Sequence, residues 1–217
     1  MGTLILVRHG ETYYNADSRW TGTTDIDLTP KGEEEARKVG EFLKSIKFTA
    51  AYCSTLSRTK HTLTIILDTI GQTGLPVFED KALNERDYGD YTGLNKWEVR
   101  KMLGEQVFIE LWRSWEGNVP HGESLKDVYG RVIPYYLKEI VPRLEKGENI
   151  LVILHGNSMR ALAKYIERVP DRDVAKILTN TGDIYKYMVD KDGYMLDRSI
   201  LHVRMDFIPS APTEHIV

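Results

Sequence analysis

Leu4-Ile5-Leu6-Val7-Arg8-His9-Gly10 decides the fold class. The unbroken apolar run, β-branched at Ile5 and Val7, reads as a short strand buried on both faces, as in a parallel sheet. It ends in a permanent cation, an imidazole and a glycine. In open α/β sheets, ligands bind at the carboxyl ends of the strands. Arg8 and His9 therefore stand where a site is expected. A second run has the same order: Ile150-Leu151-Val152-Ile153-Leu154, then His155-Gly156-Asn157. Two buried strands that each deliver His-Gly to their carboxyl ends predict a paired-histidine site.

Between the two runs, strands and helices alternate. Gly10 to Leu28 is polar and rich in turn formers. Thr29-Pro30 opens a helix, with Thr29 as N-cap and Pro30 at the first helical position. Ala36, Val39, Leu43 and Ile46 share its core face. Ala50-Ala51-Tyr52-Cys53 reads as a second strand. Ser57 is placed to cap the following helix, whose core face is Leu63, Ile66, Leu67 and Ile70. Leu75 to Phe78 reads as a third strand, confined to an edge by Pro76. Residues 80–123 read as a loop-rich insertion, the kind of segment that carries function. Ser124-Leu125-Lys126-Asp127 is a capping box opening a long helix. Its core face is Leu125, Val128, Val132, Leu137, Ile140 and Val141, with a kink at Pro134. After the 150–154 strand come a helix over 157–167, a strand over 184–189 and a turn at Asp192-Gly193. Ser199 to Val203 is open between strand and coil, and 204–217 reads as a flexible tail. This alternation predicts one α/β domain over 1–217, a mainly parallel sheet with helices on both faces.

Composition narrows the function. A chain of 217 residues with 41% hydrophobic and 28% charged content is an ordinary globular domain, long enough for a sizeable core. Its net charge of -3 gives no bulk electrostatic case for nucleic acid. Anion binding must therefore come from local arginines. A single cysteine, Cys53, rules out a disulfide framework and suits a reducing compartment. With no signal-peptide pattern and no apolar run of membrane-spanning length, the expected location is the cytoplasm, without membrane partners.

The residues around the two histidines suit phosphate chemistry. A neutral imidazole at His9 is a competent nucleophile or base. Arg8 beside it supplies a planar cation for phosphate oxygens. Arg58 follows Ser54-Thr55-Leu56-Ser57 at a helix start, where free N–H groups and the dipole favour anions. His155 precedes another helix start. These groups make a pocket for a doubly charged tetrahedral oxyanion, as phosphoryl transfer needs. Glu85, in Asn84-Glu85-Arg86-Asp87-Tyr88-Gly89, is a candidate acid/base; read alone, a surface salt bridge to Arg86 is its commoner explanation. His61, His121, His202 and His215 lack such context. No metal-ligand spacing and no Walker-type glycine loop is present, so neither a metal nor a nucleoside triphosphate is expected.

Leu6-Val7-Arg8-His9-Gly10-Glu11-Thr12 with Asn15 resembles the signature of the histidine phosphatase superfamily. Trp20-Thr21-Gly22, Ser54-Thr55-Leu56-Ser57-Arg58, Asn84 through Asp90 with Gly93 and Lys96, and His155-Gly156-Asn157-Ser158-Met159-Arg160 are similar to its cofactor-dependent phosphoglycerate mutases. The resemblance implies that His9 becomes phosphorylated and that Arg8, Arg58 and His155 hold the transferring group. It implies Glu85 as the acid/base. It places Asn15, Thr21, Gly22, Arg86, Tyr88, Lys96, Arg113, Gly156 and Asn157 around the substrate. It further implies 2,3-bisphosphoglycerate as primer, a phosphoglycerate as substrate and no metal, and leaves a homo-oligomer open. The chain departs from the pattern at Trp112, where a second arginine is common, at Thr23 in place of Trp, and in a shortened stretch between Arg113 and Pro120. These departures keep a phosphatase for small phosphorylated metabolites as the alternative. A non-catalytic phospho-ligand binding module is the third reading, disfavoured because every proposed catalytic group is present.

Overall fold

Leu4, Ile5, Leu6 and Val7 are all buried, and they form the strand that organises the sheet. The computed structural model describes residues 2–203. Its strands are β1 (Thr3–Arg8), β2 (Ala50–Cys53), β3 (Val77–Glu79), β4 (Ile150–Leu154), β5 (Asp183–Val189) and β6 (Met195–His202). They make one sheet in the order β3-β2-β4-β1-β5-β6. The β3, β2, β4 and β1 strands run parallel, whereas β5 and β6 pair antiparallel. The sheet is thus mainly parallel. Arg8 lies opposite Leu154 in the β1–β4 register, and the His9 N–H donates to the Leu154 carbonyl at 2.9 Å. The two His-Gly exits therefore leave the sheet side by side.

Side chains alternate across the sheet, and each face is covered. Leu4, Leu6, Val152 and Leu154 pack against α6 (Leu125–Tyr135) and α8 (Gly156–Ile166) through Val128, Val132, Leu162 and Ile166. Ile5, Val7, Leu151 and Ile153 pack on the other face against α2 (Pro30–Leu43) and α3 (Ser57–Ile70), through Ala36, Val39, Leu63 and Ile66. A short helix α1 (Tyr13–Ala16) interrupts the stretch read as turns. The 80–123 segment is less irregular than its composition suggested. It contains α4 (Lys96–Leu103) and α5 (Glu105–Arg113). It also closes a small core of its own, where Trp20 stacks on Tyr88 at 5.1 Å beside Phe108 and Val119.

Local signals set most helix ends. Thr29 Oγ1 accepts from the Gly32 N–H at the start of α2. Ser124 and Asp127 form the reciprocal capping box of α6. Ser57 is not a cap: Leu56 holds that position, and the Ser57 hydroxyl and N–H both donate to Asp25 Oδ1 at 2.8 and 2.7 Å. The helix after Ser124 also differs from expectation. Pro134 has no N–H to donate, and α6 passes into a π-turn over Tyr136–Ile140 before α7 (Val141–Glu145). The extra residue per turn rotates the helix phase. Tyr136 becomes fully buried, and Leu137, read as core, is 37% exposed. The strand near Ser199 is longer than expected and starts at Met195. The tail expected over 204–217 lies outside the described residues. Among the described residues no helix is long and apolar enough to cross a membrane.

Candidate active site

His9 leaves the end of β1 directly behind Arg8, and its ring is 3% exposed. Its Nδ1 lies 2.7 Å from the Gly10 carbonyl oxygen. A carbonyl only accepts, so Nδ1 carries the proton and Nε2 keeps its lone pair. Burial first, then the Arg58 and Arg8 charges, hold the His9 pKa well below that of a free imidazole. The imidazole is neutral at pH 7. Gly10 is required here: a Cβ on it would meet the Gly32 carbonyl oxygen at 2.2 Å.

His155 caps α8 at the end of β4, and its ring lies 5.0 Å from that of His9, centroid to centroid. The two histidines are therefore a pair, as the sequence predicts. His155 is nevertheless fully buried and stands behind the cavity wall. The Arg58 Nε–H donates to its Nδ1 at 3.1 Å, and its Nε2 lies 2.8 Å from Ser54 Oγ. Arginine only donates, so His155 is the Nε2–H tautomer and donates to Ser54. Burial, with the Arg58 charge next, holds its pKa well below 6.5. His155 thereby aims Arg58. The other ends of that guanidinium donate to the Thr24 and Gly22 carbonyls at 2.9 and 2.8 Å.

A cavity of about 250 Å³ opens over His9. Arg8, Arg58, Asn15, Thr21, Gly22, Glu85, Tyr88, Lys96, Arg113, Gly156 and Asn157 all line it, as the sequence places them. Glu85 is buried. Its Oε1 accepts the Arg86 and Asn157 N–H groups at 2.8 and 3.1 Å, which leaves Oε2 more lightly engaged. Asn157 donates from Nδ2 to the Tyr88 hydroxyl at 2.8 Å. Burial lowers Lys96 to about 8, with the Arg8 charge adding to the effect.

Arg86 is the exception. It is fully buried off the cavity wall, and its guanidinium donates to the carbonyls of Leu111, Gly117 and Glu123. Among the described residues it makes no ion pair with Glu85, and it does not line the cavity. It pins the 105–123 segment that carries Arg113. A planar cation with five donors satisfies several carbonyls at once, which a side chain reaching for substrate cannot do.

Some lining residues escaped the sequence reading. Arg19, Trp112, Thr179 and Arg160 also line the cavity. The Thr179 carbonyl accepts from Arg8 Nη1 at 2.6 Å. The Trp112 ring lies 4.3 Å beneath the Arg113 guanidinium. Arg160 had a legible signal, since it follows Gly156 by four residues on the same helix face. The wall thus holds six cations (Arg8, Arg19, Arg58, Lys96, Arg113 and Arg160) against one carboxylate, Glu85. Among the described residues only Arg19 of these six has a salt bridge to a carboxylate. Buried cations without counter-charges are costly unless an anion joins them. Among the described residues no group of His, Cys, Asp and Glu is arranged to hold a metal ion.

The model of the histidine phosphatase superfamily (branch 1) matches residues 4–200. The chain belongs to this superfamily. Its similarity is strong to proteins named 2,3-bisphosphoglycerate-dependent phosphoglycerate mutase. That of Afipia carboxidovorans is 46% identical over 86% of this chain and 92% of its own. That of Rhizobium rhizogenes is 44% identical over 92% and 96%. Among solved structures, Bacillus stearothermophilus YhfR superposes with a TM-score of 0.79 at 29% identity, covering 90% of this chain and 94% of its own. A phosphoglycerate mutase from Bacillus anthracis gives 0.73 at 25% identity, covering 93% and 92%. A mycobacterial glucosyl-3-phosphoglycerate phosphatase gives 0.75 at 25% identity, covering 87% and 93%. Mutases and phosphatases of the superfamily thus share this sheet.

Proposed function

We propose that the protein interconverts 2-phosphoglycerate and 3-phosphoglycerate through a phosphohistidine on His9. One observation carries this: an unprotonated Nε2 at the base of a cavity whose cations far outnumber its single carboxylate. A monoester needs only the cations around the transferring phosphoryl group. Lys96 and Arg113 exceed that need and match a second anionic group. The same excess fits 2,3-bisphosphoglycerate, which Arg8, Arg58, Lys96 and Arg113 would hold. When bound, that compound supplies the phosphoryl group that loads His9.

His9 Nε2 attacks phosphorus in line as the bond to the substrate oxygen breaks. Arg8 and Arg58 neutralise the equatorial oxygens, and their fixed geometry avoids reorganisation during transfer. Glu85 gives its proton to the departing alkoxide. In the return step it takes the proton of the attacking hydroxyl, which forms the new oxygen–phosphorus bond as the nitrogen–phosphorus bond breaks. His155 keeps Arg58 aimed through both steps.

The test is conversion of 3-phosphoglycerate by the purified protein with chelator present, with and without the bisphosphate primer. Primer-stimulated isomerisation is expected, and Glu85→Gln should slow it while His9 still accepts label. Acid-labile label on His9 should vanish in His9→Ala. Steady phosphate release exceeding isomerisation would replace this reading with a phosphatase. The neutral Trp112 beside Arg113 is the feature that favours that outcome.

A further inference from the structure

Arg160 is 6% exposed and has no carboxylate partner among the described residues. Its Nε donates to the Ile177 carbonyl at 3.0 Å, and its Nη1 donates to Asn157 Oδ1 at 2.8 Å. Its Nη2 makes no protein hydrogen bond there and is not sealed from the cavity that Arg160 lines. Two sides of the guanidinium are tied down. The remaining edge is fixed, charged and free to donate.

The cation that acts most on Arg160 is not the one that acts most on His9, although Arg8 acts on both. The charges that act on His9 are those of Arg58 and Arg8. The charge that acts most on Arg160 is that of Arg113, on the wall built by the 105–123 segment. Arg160 also sets the orientation of Asn157. Because arginine only donates, Asn157 must present Oδ1 to it and Nδ2 to the Tyr88 hydroxyl. Arg160, Asn157 and Tyr88 are joined by hydrogen bonds and all line the cavity. The free Nη2 suits an ionised carboxylate oxygen, which makes a charge-assisted hydrogen bond with it.

We propose that Arg160 is a specificity-determining residue that binds the substrate carboxylate while Arg8 and Arg58 hold the phosphoryl group. This rests on the phosphoglycerate reading of the cavity. Discrimination between phosphate monoesters with and without a neighbouring carboxylate then depends on Arg160.

The probes are 3-phosphoglycerate and glycerol 3-phosphate, which share a phosphate and differ in the carboxylate. Affinities are measured by calorimetry on the wild-type protein, Arg160→Met and Arg160→Lys. Turnover of p-nitrophenyl phosphate reports the phosphoryl pocket and correct folding in each. In Arg160→Met the affinity for 3-phosphoglycerate should fall roughly 10- to 100-fold, the loss expected for a hydrogen bond to a charged group. Glycerol 3-phosphate affinity and p-nitrophenyl phosphate turnover should change less than about threefold, and Arg160→Lys should restore part of the preference. Equal loss for both ligands would make Arg160 a structural residue and overturn the proposal. So would an unchanged preference. A wild-type protein that binds the two ligands equally would overturn the phosphoglycerate reading itself, and this inference with it.

Discussion

Both site histidines should make the protein lose stability in mild acid, and by a calculable amount. Each has a folded pKa well below the ordinary value of 6.5. As pH falls through 6.5 the unfolded chain takes up a proton that the folded chain refuses. The unfolded state then binds more protons, so stability rises with pH in this window and is lost on acidification. The window opens at 6.5 and runs down toward the depressed folded values. A histidine held fully neutral when folded costs on the order of 1 kcal/mol more at roughly pH 5.5 than at roughly pH 7. His9 and His155 together therefore remove at most about 2 to 3 kcal/mol over that interval. Urea unfolding of wild type and His9→Gln at both pH values isolates the share of His9. The variant should lose on the order of 1 kcal/mol less than wild type. Losses equal within about 0.3 kcal/mol would mean that His9 titrates normally when folded. The neutral-nucleophile argument would then fail.

Arg86→Met should destabilise by about 3–5 kcal/mol, because it strips three carbonyls, two of them in buried contacts, of their donor; a loss under about 1 kcal/mol in urea melts would return Arg86 to the list of substrate contacts. Gly10→Ala should cost about 1–3 kcal/mol from overpacking against the Gly32 carbonyl. Thermal melts read that cost, and phosphate labelling of His9 should fall with it as the loop shifts. Lys96 loses its charge above about pH 8. The KM for 3-phosphoglycerate should therefore climb from there in wild type and stay flat in Lys96→Met.

The sheet was legible because its evidence is local. The runs at 4–7 and 150–154 are apolar without interruption, and their His-Gly exits mark the carboxyl ends. Thr29-Pro30 and the Ser124 box announce their helices from side-chain chemistry alone. Errors arose where a distant group outbid a local one. Asp25 takes Ser57 away from its expected role as a cap. The three carbonyls that claim Arg86 lie 25 to 37 residues away. The π-turn after Pro134 is an error of another kind, since a phase shift inside a helix leaves no mark in residue types. The site followed the same division. His9, Arg58 and Glu85 sit in compact motifs, whereas the Thr179 carbonyl that receives Arg8 is contributed by backbone and has no signature.

The strand order has a consequence for how the molecule is made. The β1 and β2 strands are not neighbours; β4, formed by residues 150–154, lies between them. Until those residues emerge, the amino-terminal half has a split sheet with two raw apolar edges facing a missing strand. Such edges are templates for pairing with other chains. Insertion of β4 closes the gap and, in the same event, brings His155 beside His9. Assembly of the histidine pair is therefore a report on completion of the fold. A chain truncated before Ile150 would lack chemistry and would also carry an open seam prone to aggregation. In synthesis this protein has no functional half-way state.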